Sequence, residues 1–125
     1  MAVRGVRGAI TVEADTKEEV LASTRLLLQE IISRNNLQPE DIASMIFTTT
    51  ADISSVFPAQ AVRSLEGEGW SFVPVMCARE IPVPGSLPLC VRVMMHVNTD
   101  KSPQEIHHVF LRDAVKLRPD LASRS

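Results

Sequence analysis

Residues 90–98 read CVRVMMHVN, and this stretch decides the fold. Apolar residues at positions 91, 93, 95 and 97 have the two-residue period of a β-strand with one buried face, while Arg92 takes the other parity. Arg92 therefore points away from the apolar row. A guanidinium keeps its charge in such surroundings and needs a paired acceptor. Glu80 is a candidate acceptor, and it could equally form the acidic wall of a site built for an anion.

Working outward from this strand, we predict an α+β fold in which a mixed β-sheet has its helices packed on one face. The predicted order is β-α-β-α-β-β-α. The expected strands are Val3–Val12, Met45–Thr50, Ser71–Cys77 and Cys90–Asn98. Pro74 places the third of these strands at an edge or a bulge of the sheet. Three helices are expected: Lys17–Arg34, a second from near Pro58 to near Gly67, and a third that begins at Ser102–Glu105. A short helical turn is expected at Pro39–Asp41, and the proline-rich segment Ile81–Pro88 is expected to be a stiff loop.

Local sequence patterns support the first helix and explain the glycines of the first strand. Thr16 followed three residues later by Glu19 is a capping box, in which side chains satisfy the free amides of a helix start. Gly5 and Gly8 would normally weaken the first strand, so they indicate close approach of a neighbour or a ligand to its backbone.

Length and composition indicate one globular domain. The chain has 125 residues, 45% of them hydrophobic and 22% charged, and a formal net charge of −2. We place the domain at residues 1–121 and an unstructured tail at 122–125. A near-neutral chain lacks the basic excess of proteins that bind nucleic acid or anionic membranes. A domain this small has little room for an enclosed pocket, so a small-molecule site is expected between subunits.

The lack of recognisable targeting signals and the cysteine usage favour a cytoplasmic protein. No apolar stretch approaches the ~20 residues that cross a bilayer, and the first residues do not resemble a signal peptide. The two cysteines, Cys77 and Cys90, have no CxxC spacing and are expected to be thiols.

Several kinds of active site find no support in the sequence. The three histidines, His96, His107 and His108, lack the spacing of a metal site, and no glycine-rich phosphate or dinucleotide motif occurs. Cys77 could be a nucleophile paired with a histidine, although a partly buried thiol beside a pocket is the more ordinary interpretation.

The remaining candidates are four arginines in unusual places. Arg7 lies in a strand, Arg63 among apolar helix residues, Arg92 in the central strand and Arg118 in the segment LRPDL. Each alone is compatible with a surface salt bridge. Together they are compatible with binding of an anion.

Longer stretches around these arginines resemble a known family. They are VRGVRGAITVE (3–13), FPAQAVR (57–63), VPVMCAREIPVPGSLPLCVRV (73–93) and HHVFLRDAVKLRPDL (107–121). In kind and order they are similar to the monofunctional, trimeric bacterial chorismate mutases of the single-domain α+β type. The resemblance covers about residues 3–121.

The resemblance implies isomerisation of chorismate to prephenate, on the route to phenylalanine and tyrosine, by a homotrimer with a pseudo-barrel-like core and sites between subunits. It implies three catalytic residues: Arg7 at a substrate carboxylate, Glu80 as acceptor for the ring hydroxyl, and Arg92 at the ether oxygen. It further implies substrate binding by Arg63 and Arg118 near the mouth of the site, Cys77 as a polar neighbour, and the apolar residues Phe57, Phe110 and Leu117.

A concerted rearrangement of this kind needs orientation and electrostatic stabilisation, and neither a metal nor a cofactor. Some positions depart from the family pattern. Phe110 stands where many relatives have a tyrosine, His107 where many have arginine, Gln60 where many have a charged residue, and Met76 in place of a small polar residue. These departures leave two alternatives open: a non-catalytic trimeric module that binds a carboxylated metabolite, and a structural oligomer whose arginines form interface salt bridges.

Overall fold

The computed structural model describes residues 2–122, apart from the side chains of Leu121 and Ala122. In chain order the strands and α-helices are β1 (Ala2–Thr11), α1 (Lys17–Asn35), β2 (Ile42–Thr49), β3 (Val75–Arg79), β4 (Cys90–Thr99), β5 (Val109–Leu111) and α2 (Pro119–Ala122). Short 3₁₀-helices lie at Pro39–Asp41, Pro58–Ser64, Trp70–Phe72, Pro103–Glu105 and Arg112–Leu117. Of the predicted tail, Ala122 ends α2, and residues 123–125 lie outside the described residues.

The five strands form one mixed sheet in the order β3-β2-β4-β1-β5. The central strand β4 runs antiparallel to β1 and β2, while the edge strands β3 and β5 run parallel to β2 and β1. The predicted α+β class with a mixed sheet is therefore confirmed. The strand predicted from CVRVMMHVN lies at its centre, as its fully buried apolar row requires.

One face of the sheet carries the hydrophobic core. Val91, Val93, Met95 and Val97 of β4 are buried in it together with the inward residues of α1, including Leu27. A Cβ at Gly8 would lie only 2.6 Å from Cδ1 of Ile31, so α1 packs directly on the backbone of β1. The close neighbour predicted for Gly8 is thus this helix.

The other face is largely open. Arg92 and Met94 of β4 lie on it, beside Arg7 of β1 and Thr48 of β2. The 3₁₀-helix Arg112–Leu117 covers one corner of this face, where Ala114 packs on Ala9, Cys90 and Phe110. Because α1 occupies the opposite face, polar groups of β4 and its neighbours remain accessible here.

The ends of α1 follow the sequence signals. The Thr16 hydroxyl accepts a hydrogen bond from the backbone amide of Glu19 at 3.2 Å, which is one half of the predicted capping box. In place of the other half, the Glu19 carboxylate accepts from the amide of Glu13 at 2.8 Å and not from the amide of Thr16. Asn36 closes the helix in the left-handed conformation, with φ of 52°.

Other local predictions were wrong in detail. The strand expected at Ser71–Cys77 begins only at Val75, because Trp70–Phe72 forms a 3₁₀-turn and Pro74 has no amide to donate to a ladder. The segments after Pro58 and Pro103 are 3₁₀-helices, shorter than the predicted α-helices. Strand β5 was not expected; it forms because its backbone pairs with β1.

Within residues 2–122, no helix is long and apolar enough to cross a membrane.

The contact between Gly8 and α1 generates a stability prediction. Gly8→Ala places a methyl group against Ile31, Val93 and Leu27, so it should lower the free energy of unfolding by about 1–3 kcal/mol. Gly5→Ala is the matched control, because its Cβ meets only the flexible Met94 sulfur at 3.2 Å. Urea unfolding at one protein concentration measures both, and equal stability of the two variants would contradict the packing described here.

Candidate active site

The candidate site is centred on the ion pair between Arg92 and Glu80. Nε of Arg92 lies 2.7 Å from Oε1 of Glu80, and the side chains are 36% and 15% exposed. Arg92 is held by the middle strand of the sheet, and Glu80 directly follows the last residue of β3. The backbone amide of Glu80 donates to the carbonyl of Thr49 at 3.1 Å, which continues the β2–β3 pairing by one residue. The predicted acceptor for Arg92 is thus Glu80.

The Nε–H group of Arg92 is not satisfied by this contact. Nε is buried, and no acceptor among the described residues has hydrogen-bonding geometry to it. The short contact to Glu80 is therefore ionic, with the N–H bond directed elsewhere. Nε itself is enclosed by protein, but the Arg92 side chain as a whole is 36% exposed and lines a cavity, so a ligand with an anionic or polar oxygen can interact with it there.

Arg7 and Phe110 lie beside this pair on the open face. Arg7, Arg92, Phe110 and Thr48 are among the residues that line a cavity of about 220 Å³. The Arg7 guanidinium lies over the Phe110 ring, with its carbon 5.8 Å from the ring centroid. This is a cation–π contact, and it orients the arginine without neutralising its charge.

Three arginines stand against two carboxylates, Glu80 and Asp120, in this region, which leaves it with a net positive charge. Burial, followed by the positive charges of Arg118 and Arg92, lowers the pKa of Arg7 from its usual value. Arg118 forms a two-point ion pair with Asp120, at 3.0 and 2.9 Å, and the hydrogen bond to that carboxylate raises the pKa of Arg118. Arginines remain protonated at neutral pH, so three cations repel one another here and an anionic ligand would relieve the repulsion.

An apolar layer supports the cavity. Phe110, Ala9, Cys90 and Ala114 are buried together, and Leu117 packs on them. Desolvation raises the pKa of the Cys90 thiol to about 11, so this thiol is neutral at physiological pH. Both cysteines are free thiols, as expected.

The predicted wall residues lie in a second group. Phe57 and Cys77 line a different cavity, of about 600 Å³. Cys77 is in register with Phe47, whose side chain is in the core, so Cys77 is on the buried side of β3 and faces away from Arg92. Arg63 lines a third cavity, of about 330 Å³, next to Trp70. One chain therefore does not bring these three residues to Arg92.

Sequence reasoning missed several residues that hold the site. Thr48 donates a hydrogen bond from Oγ1 to Oε1 of Glu80 at 2.8 Å. His108 accepts the backbone N–H of Arg7 at Nδ1, at 2.9 Å. Arg79 donates to the carbonyls of Thr50 and Ile53, at 3.0 and 2.6 Å, on the segment that leads to Phe57. Strand parity could have placed Thr48 on the open face, but only the register brings it to Glu80.

Metal ligation was also considered for the histidines. Across residues 2–122 the structure contains no group of three or more histidine, cysteine, aspartate or glutamate side chains that could hold a metal ion.

Comparison with known proteins identifies the family of the chain. The model of the family "Chorismate mutase type I" matches residues 3–121. The chain is 51% identical over 122 residues to Chorismate mutase AroH of Bacillus subtilis (strain 168), covering 98% of this chain and 94% of that protein. It is also 51% identical over 122 residues to Chorismate mutase AroH of Thermus thermophilus, covering 97% and 98%.

A solved structure supports the fold as well as the family. The chorismate mutase from Clostridium thermocellum superposes with a TM-score of 0.84 at 49% identity, covering 89% of this chain and 96% of that one. The matched region includes the strands that carry Arg7 and Arg92. The open-faced sheet with its unsatisfied arginine is accordingly that of a member of the type I chorismate mutase family.

Proposed function

We propose that the protein converts chorismate to prephenate by a Claisen rearrangement, with Arg92 as the catalytic cation. The observation that carries this proposal is the partly exposed Arg92 side chain, which lines the open-face cavity and is paired with Glu80 at 2.7 Å. In the reaction one C–O bond breaks and one C–C bond forms within the same molecule. No proton or electron is exchanged with the protein.

Arg92 acts on the charge that develops during the reaction. As the C–O bond breaks ahead of C–C bond formation, negative charge grows on the ether oxygen. A fixed guanidinium at this oxygen stabilises the transition state more than the ground state. A position on the central strand of the sheet keeps the guanidinium in place without reorganisation.

Arg7 and Arg118 account for the binding of a dianion. Their mutual repulsion with Arg92 falls when carboxylates enter the cavity. Holding these carboxylates restricts the substrate to the folded conformer that reacts, which is an orientation effect. Phe110 and Leu117 provide the apolar floor beneath them.

Glu80 accepts a hydrogen bond from the ring hydroxyl of the substrate. Both of its contacts in the described chain, from Thr48 and Arg92, involve Oε1. Its second oxygen is therefore available to the hydroxyl, and the same carboxylate holds the guanidinium near the ether oxygen.

We further infer that the complete site forms between subunits of a homotrimer in the cytoplasm. Within one chain Phe57 and Cys77 line one cavity and Arg63 another, and neither is the cavity that Arg92 lines. Phe57 is 68% exposed, although a large aromatic side chain is usually covered. A neighbouring subunit that presents its Phe57 group to the open face would cover this ring and complete the wall of the site.

Arg92→Ala tests the catalytic role. Loss of the cation should raise the barrier by about 3 kcal/mol or more, which lowers kcat roughly a hundredfold. The ultraviolet absorbance of chorismate measures its consumption by the purified protein. EDTA should leave the wild-type rate unchanged.

Two results would count against this assignment. An unchanged rate in Arg92→Ala would exclude the mechanism even if the protein were active. If the wild type bound prephenate without consuming chorismate, the non-catalytic module would be the better description.

Phe110→Tyr tests the departure from the family pattern. The added hydroxyl should donate to a substrate carboxylate, a hydrogen bond to a charged group worth about 1.5–3 kcal/mol. We expect KM to fall by roughly tenfold or more with a much smaller change in kcat. Steady-state kinetics of the wild type and of Phe110→Tyr measure both constants. An unchanged or higher KM in Phe110→Tyr would contradict the interpretation.

Subunit mixing tests the shared site. Phe57→Asp places a carboxylate on an exposed wall position, where it should repel the dianion. Co-refolding this variant with Arg92→Ala should restore activity, because roughly a quarter of the sites then combine two intact halves. Mixed trimers with activity no greater than the sum of the separate variants would contradict the shared site.

A further inference from the structure

Thr48 lies at the middle of the open face and is the most direct neighbour of the Arg92–Glu80 pair. It is in register with Arg92 of β4 on one side and with Ala78 of β3 on the other. It also lines the same cavity as Arg7 and Arg92. Neither the resemblance nor the comparisons assign it a role.

The hydrogen bond from Thr48 differs in kind from the contact made by Arg92. The Thr48 hydroxyl donates to Oε1 of Glu80 at 2.8 Å with hydrogen-bonding geometry. Arg92 is 2.7 Å from the same oxygen, but its Nε–H is not directed at it. Coulombic attraction alone does not fix the rotation of a carboxylate, whereas a hydrogen bond is directional. Within the described chain, Thr48 is thus the side chain that orients the Glu80 carboxylate.

We propose that Thr48 is a positioning residue, which rests on the proposed function: its hydroxyl fixes the rotation of the Glu80 carboxylate and, through Oε1, the position of the Arg92 guanidinium beside the ether oxygen. A hydroxyl has one proton to donate, and here it goes to Oε1. The β-branched side chain has few rotamers, so the donor direction is well defined. Without this bond the carboxylate can rotate, and the guanidinium that is paired with it loses its fixed position.

The proposal predicts different effects on KM and on kcat. The arginines that account for carboxylate binding are held by other contacts: Arg7 lies over the Phe110 ring, and Arg118 is paired with Asp120. Loss of the hydroxyl should therefore change KM little. The interaction made only in the transition state is weakened, so kcat should fall.

The test uses isosteric and conservative replacements. Thr48→Val removes the hydroxyl and keeps the shape, and kcat should fall roughly tenfold while KM changes less than about threefold. Thr48→Ser keeps the donor and should retain near wild-type kcat. Ser44→Ala is the control for loss of a hydroxyl from the same face of β2; Ser44 interacts with His96 at 3.0 Å, away from Glu80.

A double-mutant cycle distinguishes positioning from a general structural effect. If Thr48 acts through Glu80, Thr48→Val should have little further effect in a Glu80→Gln background. Equal losses in both backgrounds would overturn the proposal, as would wild-type kcat in Thr48→Val. If Thr48→Val failed to fold by circular dichroism, Thr48→Ala would replace it with the same expectation.

The two hypotheses fail separately. Absence of chorismate turnover by the wild type removes the proposed function and this inference with it. Normal wild-type turnover with unchanged kcat in Thr48→Val removes only the role of Thr48.

Discussion

The ionic contact between Arg92 and Glu80 is the interaction on which the site depends. A permanently charged guanidinium on a central strand requires a nearby anion, and Glu80 provides it from the end of the neighbouring edge strand. This contact compensates the charge but leaves the Nε–H without an acceptor. The site is therefore electrostatically compensated, yet the Arg92 side chain is still 36% exposed and lines the cavity, so it can also interact with a ligand.

The sheet makes this arrangement possible because one of its faces is apolar and buried, whereas the other is largely open and carries polar side chains. Side chains alternate along each strand, so β4 contributes Val91 and Val93 to the core and Arg92 to the other face. Helix α1 packs directly on Gly8 and, together with the 3₁₀-helix Pro58–Ser64, buries the first face. The second face then needs no helix and can be used for binding. Core stability and site chemistry thus come from adjacent residues of the same strand.

Separation of the predicted residues into two groups follows from the same alternation. Cys77 and Glu80 are only three positions apart, but Cys77 lies on the buried side of β3, whereas Glu80 reaches Arg92. The type I chorismate mutase family accounts for the whole chain from residue 3 to residue 121. A site shared between subunits is the proposal that gives both groups a common function in such a small domain. It also accounts for exposed apolar side chains such as Phe57.

The sequence by itself determined the α+β class, the central strand, the first helix with its cap, and the orientation of Arg92 away from the core. These features depend on side chains within a few positions of one another, and local periodicity records them. Glu80 was also identified as a candidate partner of Arg92, because a guanidinium among apolar residues needs an acceptor. Tertiary structure alone decided strand β5, the 3₁₀ form of the segments after Pro58 and Pro103, and the register that places Thr48 beside Arg92. It also decided the direction of the Nε–H bond and the separation of Cys77 from it. Pairing between distant strands fixes these features, because backbone hydrogen bonds and packing across the sheet depend on residues far apart in the chain.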